Sequence, residues 1–190
     1  RTPQRSRAEV RHELGLNDGE ALLLHSSNLR PLKRIDLLLE TAARIRPAGS
    51  FKLVILAGGS FAPFADQARR LGLADRVIVR EKVSDIEDYL QAADLGLITS
   101  ETESFCLSIL EAMCFACPCV AMRVGGIPEV IEDGVSGSLV PFGDADALAR
   151  AVEGLIQDPS RRAALGRAAR HRAQERFSAE AIVPLYEGLY

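Results

Sequence analysis

Along the chain, short apolar runs alternate with stretches in which apolar residues recur every three or four positions. Near-continuous runs at 21–25, 51–57, 77–79, 95–99, 119–122 and 138–140 predict six strands. Between them, the spacing of Ile35, Leu38, Leu39, Ala42 and Ile45 predicts a helix over 35–45. Similar spacing predicts helices over 64–71, 86–93 and 108–114. Beyond Gly143 the pattern is helical only, over 144–156, 161–175 and 179–190, with Pro159 and Ser178 as the breaks.

Strands that are apolar throughout, each followed by a helix, predict a parallel sheet covered on both faces. Right-handed crossovers then make a Rossmann-like, doubly wound α/β domain of about six strands. The helix-only tail reads as a brace against the sheet or a neighbouring domain. Ligands in such folds bind beyond the carboxyl ends of the strands. That rule selects the loops after His25, Ala57, Val79, Thr99 and Met122.

A length of 190 residues suits one core and one domain. A net charge of -3 offers no broad basic field, which argues against nucleic acid as a partner. No apolar run reaches the roughly 20 residues that span a bilayer, and the basic start has no apolar segment behind it. A cytoplasmic, reducing setting is expected. Cys106, Cys114, Cys117 and Cys119 are clustered, and Cys114-x-x-Cys117 has zinc or redox spacing. With apolar neighbours and no second Cys/His pair, the reading adopted is small buried hydrophobes.

The loop after the first strand carries Asn28, Arg30, Lys33 and Arg34 just ahead of a helix. Arginine can grip phosphate oxygens bidentately, lysine adds a point charge, and a helix start adds amide donors. In the loop after the fourth strand, Glu103 is followed by Ser104, Phe105, Cys106 and Leu107, and Glu111 falls in the next helix. Carboxylates flanking a helix start suit a sugar nucleotide, whose hydroxyls donate and whose phosphates accept. Ser108-x-x-Glu111 is equally a capping box, and spacing alone does not choose. Asp144-Ala145-Asp146 invites a metal, but its place at a helix start makes Asp144 an N-cap. Gly125-Gly126 fits either close approach of the backbone to a ligand or a tight turn. Gly58-Gly59 is a weaker case of the same kind. His12, His25 and His171 are scattered, and nothing marks His25 as a base.

Together these segments resemble the C-terminal domain of the retaining glycosyltransferases of family 4, which have the GT-B architecture. The likeness rests on the Glu-x7-Glu segment from Glu103 to Glu111, on Lys33 and on Ala93-Asp94-Leu95. It extends to Gly125-Gly126-Ile127-Pro128-Glu129 and to Asp133-Gly134 with Gly137. It runs from about Leu14 to the end of the chain. The runs 27–36 and 123–131 resemble one member of the family more closely than the Gly-Arg-Leu opening usual elsewhere.

The resemblance implies transfer of a hexose, with N-acetylglucosamine as one candidate, from a UDP-sugar or other nucleotide diphosphate sugar, without a metal. Lys33 and Arg30 would neutralise the diphosphate, helped by amides at Cys106 and Leu107. Glu103 would contact the sugar and Glu111 the ribose. Lys82 and Val83 would line the base pocket, and Asn28, Ser104 and Phe105 belong to the same donor-binding set. An acceptor domain is expected ahead of Arg1, and any peripheral membrane contact would run through it. The chain alone is expected to be inactive. Three departures stand out: Cys106 and Ala116 where the family usually has Gly, and Thr99 in place of a usual Pro. Cys106 is expected to point at the spot where the sugar or phosphate approaches the backbone, and Thr99 to matter little. A nucleotide-sugar epimerase of the same architecture and a binding module without chemistry are the competing readings.

Overall fold

The computed structural model describes residues 2–47 and 50–187. Its strands are β1 (Ala21–Ser27), β2 (Phe51–Ala57), β3 (Val77–Glu81), β4 (Leu95–Ile98), β5 (Cys119–Met122) and β6 (Gly137–Val140). They form one sheet in the order β3-β2-β1-β4-β5-β6, parallel at every pairing. All six predicted strands are present, with β1 two residues longer than its apolar run because Ser26 and Ser27 still pair with Leu56 and Ala57.

Successive side chains of a strand point to opposite faces, and the core divides accordingly. Leu23, Leu53, Ile55, Leu97 and Val120 face a layer built by α2 (Ile35–Arg44), α3 (Ala62–Arg70) and α7 (Ala145–Gln157). Leu22, Leu24, Val54, Ile98 and Ala121 face the other layer, which includes α4 (Ile86–Ala92) and α5 (Leu107–Cys114). The short α6 (Ile127–Val130) starts with Pro128 in its first turn, as read from the sequence. The brace is α8 (Pro159–Phe177), which packs on α5 and α7, followed by α9 (Ala179–Glu187). Pro159 opens α8 rather than interrupting it, because a proline at the first helical position loses no hydrogen bond. The last three residues of the expected 179–190 helix lie outside the described residues. No helix among the described residues is long and apolar enough to cross a membrane.

One helix went unpredicted: α1 (Arg7–Glu13), which buries Val10 alone and so lacks an apolar stripe. A capping box starts it, with the Ser6 and Glu9 side chains each accepting from the other's amide. Ion pairs hold it down. Arg7 and Arg11 reach Asp94 at 2.6 and 2.7 Å, and Arg5 reaches Asp88 at 2.7 Å. Burial pushes the Asp94 carboxyl up, but the Leu22 amide and these guanidiniums prevail and hold it below its ordinary value. The basic start of the chain is thus a latch onto the sheet.

Cys117 and Cys119 are buried, as read, and burial pushes both thiols up, Cys117 to about 12. Cys114 is exposed, which corrects the apolar reading for that position. Ala116 sits just past α5 at φ 54°, the left-handed position that explains why glycine is usual there. Its carbonyl is covered by Gly166 of α8, where an added Cβ would lie 2.2 Å from Ala116 O. Gly166→Ala is therefore expected to cost about 2 kcal/mol or more and lower Tm by roughly 5 °C or more in calorimetry. Gly154→Ala in α7, with nothing within 4 Å, is expected to leave Tm unchanged or slightly raised.

Candidate functional site

The strand order reverses between β1 and β4, so the loops that follow them diverge to opposite faces and leave a crevice. The β1 loop begins with Asn28, whose Oδ1 accepts from Arg30 N at 3.3 Å, and with Leu29 at φ 55°. A single 3₁₀ turn over Pro31–Lys33 follows, and Arg34 at φ 49° leads into α2. Two bonds tie this loop to the one after β4: Glu101 N donates to Leu32 O at 2.8 Å, and Thr99 Oγ1 donates to Lys33 O at 2.9 Å. Thr99, expected to matter little, is fully buried and holds the backbone of Lys33.

Lys33 Nζ stands 2.5 Å from Glu103 Oε1, and Ser100 Oγ donates to the same oxygen at 2.7 Å. The loop after β5 supports Glu103 from behind. Gly126 N donates to Glu103 O at 2.9 Å. A Cβ on Gly125 or Gly126 would come within 2.0 Å of Glu103 O or 1.9 Å of Ser104 O. These glycines do permit a close backbone approach, and what approaches is the Glu103–Ser104 segment. Gly58 and Gly59 serve Asn28 in the same way, at 3.3 and 3.0 Å.

The capping box that the Ser108–Glu111 spacing allows does not form. Helix α5 starts one residue earlier, its N-cap is Cys106 at φ 66°, and no side chain caps it. Glu111 consequently falls in the second turn rather than the first. Burial pushes its carboxyl up, and Glu87 across from it on α4 adds a like charge. The left-handed backbone at Cys106 explains the family's glycine, since it costs a residue with a side chain roughly 1–2 kcal/mol. Cys106 is 6% exposed and belongs to the apolar layer that includes Ile98 and Ile109. Burial pushes its thiol up, and Sγ lies 3.4 Å from Ser108 Oγ.

Two of the clefts along this edge share Ser26 and Ser27. The larger, about 500 Å³, is lined by Asn28, Lys33, Glu103, Ser104, Phe105, Cys106, Leu107 and Ser108, with Ser26 and Ser27 at its floor. The smaller, about 230 Å³, shares Ser26 and Ser27 and continues to Gly58, Lys82, Val83 and Ile86. Nine of the eleven residues singled out in the sequence thus line one continuous edge. Arg30 is exposed and lines neither cleft, and Glu111 lies beyond them along α5. Arg34 turns away, paired with Asp36 at 2.8 Å and stacked 5.6 Å from the Phe142 ring. Asp144 caps α7 by accepting from Ala147 N at 2.7 Å, and Asp146 pairs with Arg44 at 3.0 Å. Among the described residues no group of three His, Cys, Asp or Glu side chains is placed to hold a metal.

The chain is similar to known proteins. The family model of group 1 glycosyl transferases matches residues 6–172. The chain belongs to that family. The N-acetyl-alpha-D-glucosaminyl L-malate synthase of Bacillus anthracis is 35% identical over 188 residues, covering 98% of this chain and 49% of its own length. It is the member that runs 27–36 and 123–131 resemble. A D-inositol 3-phosphate glycosyltransferase of Catenulispora acidiphila is 38% identical over 186 residues, covering 90% of this chain and 44% of its own. The solved structure of Anabaena HepE in complex with UDP-glucose superposes with a TM-score of 0.88 at 29% identity, over 96% of this chain and 52% of that one. The chain spans about half the length of the relatives it matches.

Ser26, Ser27 and Ser100 also belong to this candidate site without having been singled out by the sequence pattern, and Thr99 supports it. The apolar run of β1 stops before Ser26 and Ser27, and the two serines ahead of Asn28 mark its polar end. His25 is marked as a base by nothing in the sequence. It is 1% exposed, and burial lowers its pKa to about 4.

Two outcomes follow. Gly126→Ala is expected to displace the Glu103 segment and cost about 2 kcal/mol, read as a lower denaturant midpoint. The unfolded His25 takes up a proton near pH 6.5 and the folded one only near pH 4. Stability is thus full above pH 6.5 and falls by roughly 3 kcal/mol as pH drops through that window. His25→Asn is expected to lose this part of the pH dependence in urea titrations between pH 4 and 7.

Proposed function

We propose that this chain is the nucleotide-sugar-binding half of a retaining glycosyltransferase of family 4 with GT-B architecture, transferring a hexose from a UDP-sugar to an acceptor. The observation that carries this reading is the contact of Lys33 with Glu103 at the uncapped start of α5, in a cleft continuous with the one lined by Lys82 and Val83. A cation beside free helix amides suits a diphosphate. A carboxylate beside it suits sugar hydroxyls, and the smaller cleft suits a base.

In this reading Lys33 and Arg30 stabilise the departing diphosphate together with amides at Cys106 and Leu107, the largest catalytic contribution such a site can make. Arg30 is exposed at the lip and would reach inward once phosphate is present. Glu103 receives the transferred sugar, and Glu111 the ribose. Charge balance comes from the protein, so no metal takes part. The acceptor belongs to a second domain, as the half-length match to the relatives supports. A relative named for an N-acetylglucosaminyl product and a solved neighbour holding UDP-glucose support a UDP-hexose. The cytoplasm suits the free cysteines between 106 and 119. A binding module without chemistry would give Lys33 and Glu103 no reason to meet, and product analysis separates a transferase from an epimerase.

Calorimetric titration with UDP tests the reading. The chain is expected to bind UDP weakly and to transfer nothing by itself. Lys33→Ala and Glu111→Ala are each expected to weaken binding tenfold or more, the scale of one charge-assisted hydrogen bond. Absence of heat with UDP, GDP and ADP alike would overturn the reading.

A further inference from the structure

His25 takes no part in the roles above, yet it sits directly beneath the wall shared by the two clefts. Its Nδ1 lies 2.9 Å from Leu97 O and its Nε2 lies 2.8 Å from Ser27 Oγ. A carbonyl oxygen can only accept, so Nδ1 carries the proton. The ring is neutral at ordinary pH, because burial lowers its pKa to about 4, and a neutral imidazole has one N–H. Nε2 is therefore a bare lone pair, and the Ser27 hydroxyl must donate to it.

A second bond completes the assignment. Leu29 N donates to the same Ser27 oxygen at 3.2 Å. A hydroxyl has one proton and two lone pairs. The proton is committed to His25 and one lone pair to Leu29, which leaves one lone pair. Ser27 lines both clefts, where they meet.

We propose that the buried His25 makes Ser27 a fixed acceptor at the junction of the two clefts, so that this point of the site takes a ligand hydroxyl and refuses a phosphate oxygen. The inference rests on the donor-site reading and deepens it. A phosphate oxygen against the Ser27 lone pair would set acceptor against acceptor, while a hydroxyl would complete the oxygen's bonding. The hydroxyl-bearing part of the ligand, ribose or transferred sugar, therefore lies against Ser27. The diphosphate lies toward Lys33 and the start of α5. Ser27 determines specificity, and His25 is its positioning residue, acting only through the hydroxyl it orients.

The test uses the whole 190-residue chain and three probes: UDP-glucose, UDP and inorganic pyrophosphate. Ser27→Ala is expected to weaken the hydroxyl-bearing ligand about fivefold, the scale of one neutral hydrogen bond, and to leave pyrophosphate unchanged. Loss for both UDP and UDP-glucose assigns the hydroxyl to the ribose, and loss for UDP-glucose alone assigns it to the transferred sugar. His25→Asn keeps a side-chain N–H for Leu97 O but gives Ser27 nothing to donate to. It is expected to weaken the hydroxyl-bearing ligand by less than Ser27→Ala does, because the freed hydroxyl keeps its lone pairs but loses its fixed orientation, and the double variant to be no worse than Ser27→Ala. Ring nitrogen NMR shifts of His25 in the unliganded chain are expected to show a protonated Nδ1 and a bare Nε2 from pH 5 to 8. A protonated Nε2 in that range would overturn the proposal, as would equal losses for pyrophosphate and UDP or no loss at all. If the wild-type chain binds none of the three probes, the donor-site reading fails, while the NMR measurement still decides how Ser27 is oriented.

Discussion

The site depends on three loops meeting at backbone distance, and Glu103 is where they meet. Its carbonyl is contacted by Gly126 and its carboxylate by Lys33 and Ser100, while Thr99 and Glu101 hold the backbone on either side of Lys33. Each loop follows a different strand, so no one of them could place the pair alone. The ion pair is largely withdrawn from water, at 19% and 11% side-chain exposure, so its partners are not held by attraction at a screened surface. The surrounding backbone holds them, and the glycines at 125 and 126 let that backbone close.

A second feature of the same edge is its left-handed backbone. Leu29, Arg34, Lys82 and Cys106 all have positive φ without being glycine, and all four lie in loops that follow strand carboxyl ends. Each such position costs of the order of 1 kcal/mol and persists only where the surroundings over-determine it. At Leu29 the Ser27 hydroxyl does this, at Lys82 a bond from its amide to Ala57 O, and at Cys106 the burial of its side chain. The loops are therefore shaped before any ligand arrives, which reduces the ordering that binding requires. At the opposite edge of the sheet the latch of Arg5, Arg7 and Arg11 onto Asp88 and Asp94 works by charge, since α1 has little apolar surface to bury.

The sequence by itself determined the layer architecture, the six strands, the brace and the edge at which a ligand binds. Those follow from periodicity and from apolar runs, which are local. It also placed Lys33 and Glu103 at that edge, because strand ends can be read from where the apolar runs stop, whereas Lys82 and Val83 were singled out by the family resemblance. Only the tertiary structure decided three further matters. It showed that the Ser108–Glu111 spacing is not a cap, since the left-handed Cys106 moves the helix start. It showed that Thr99 and the paired glycines serve the Lys33–Glu103 contact. It also gave His25 and Ser27 a common polarity through Leu97, 72 positions away from His25 in sequence. Hydrogen bonds between loops of different strands join residues far apart along the chain, and no local pattern records which donor will find which acceptor.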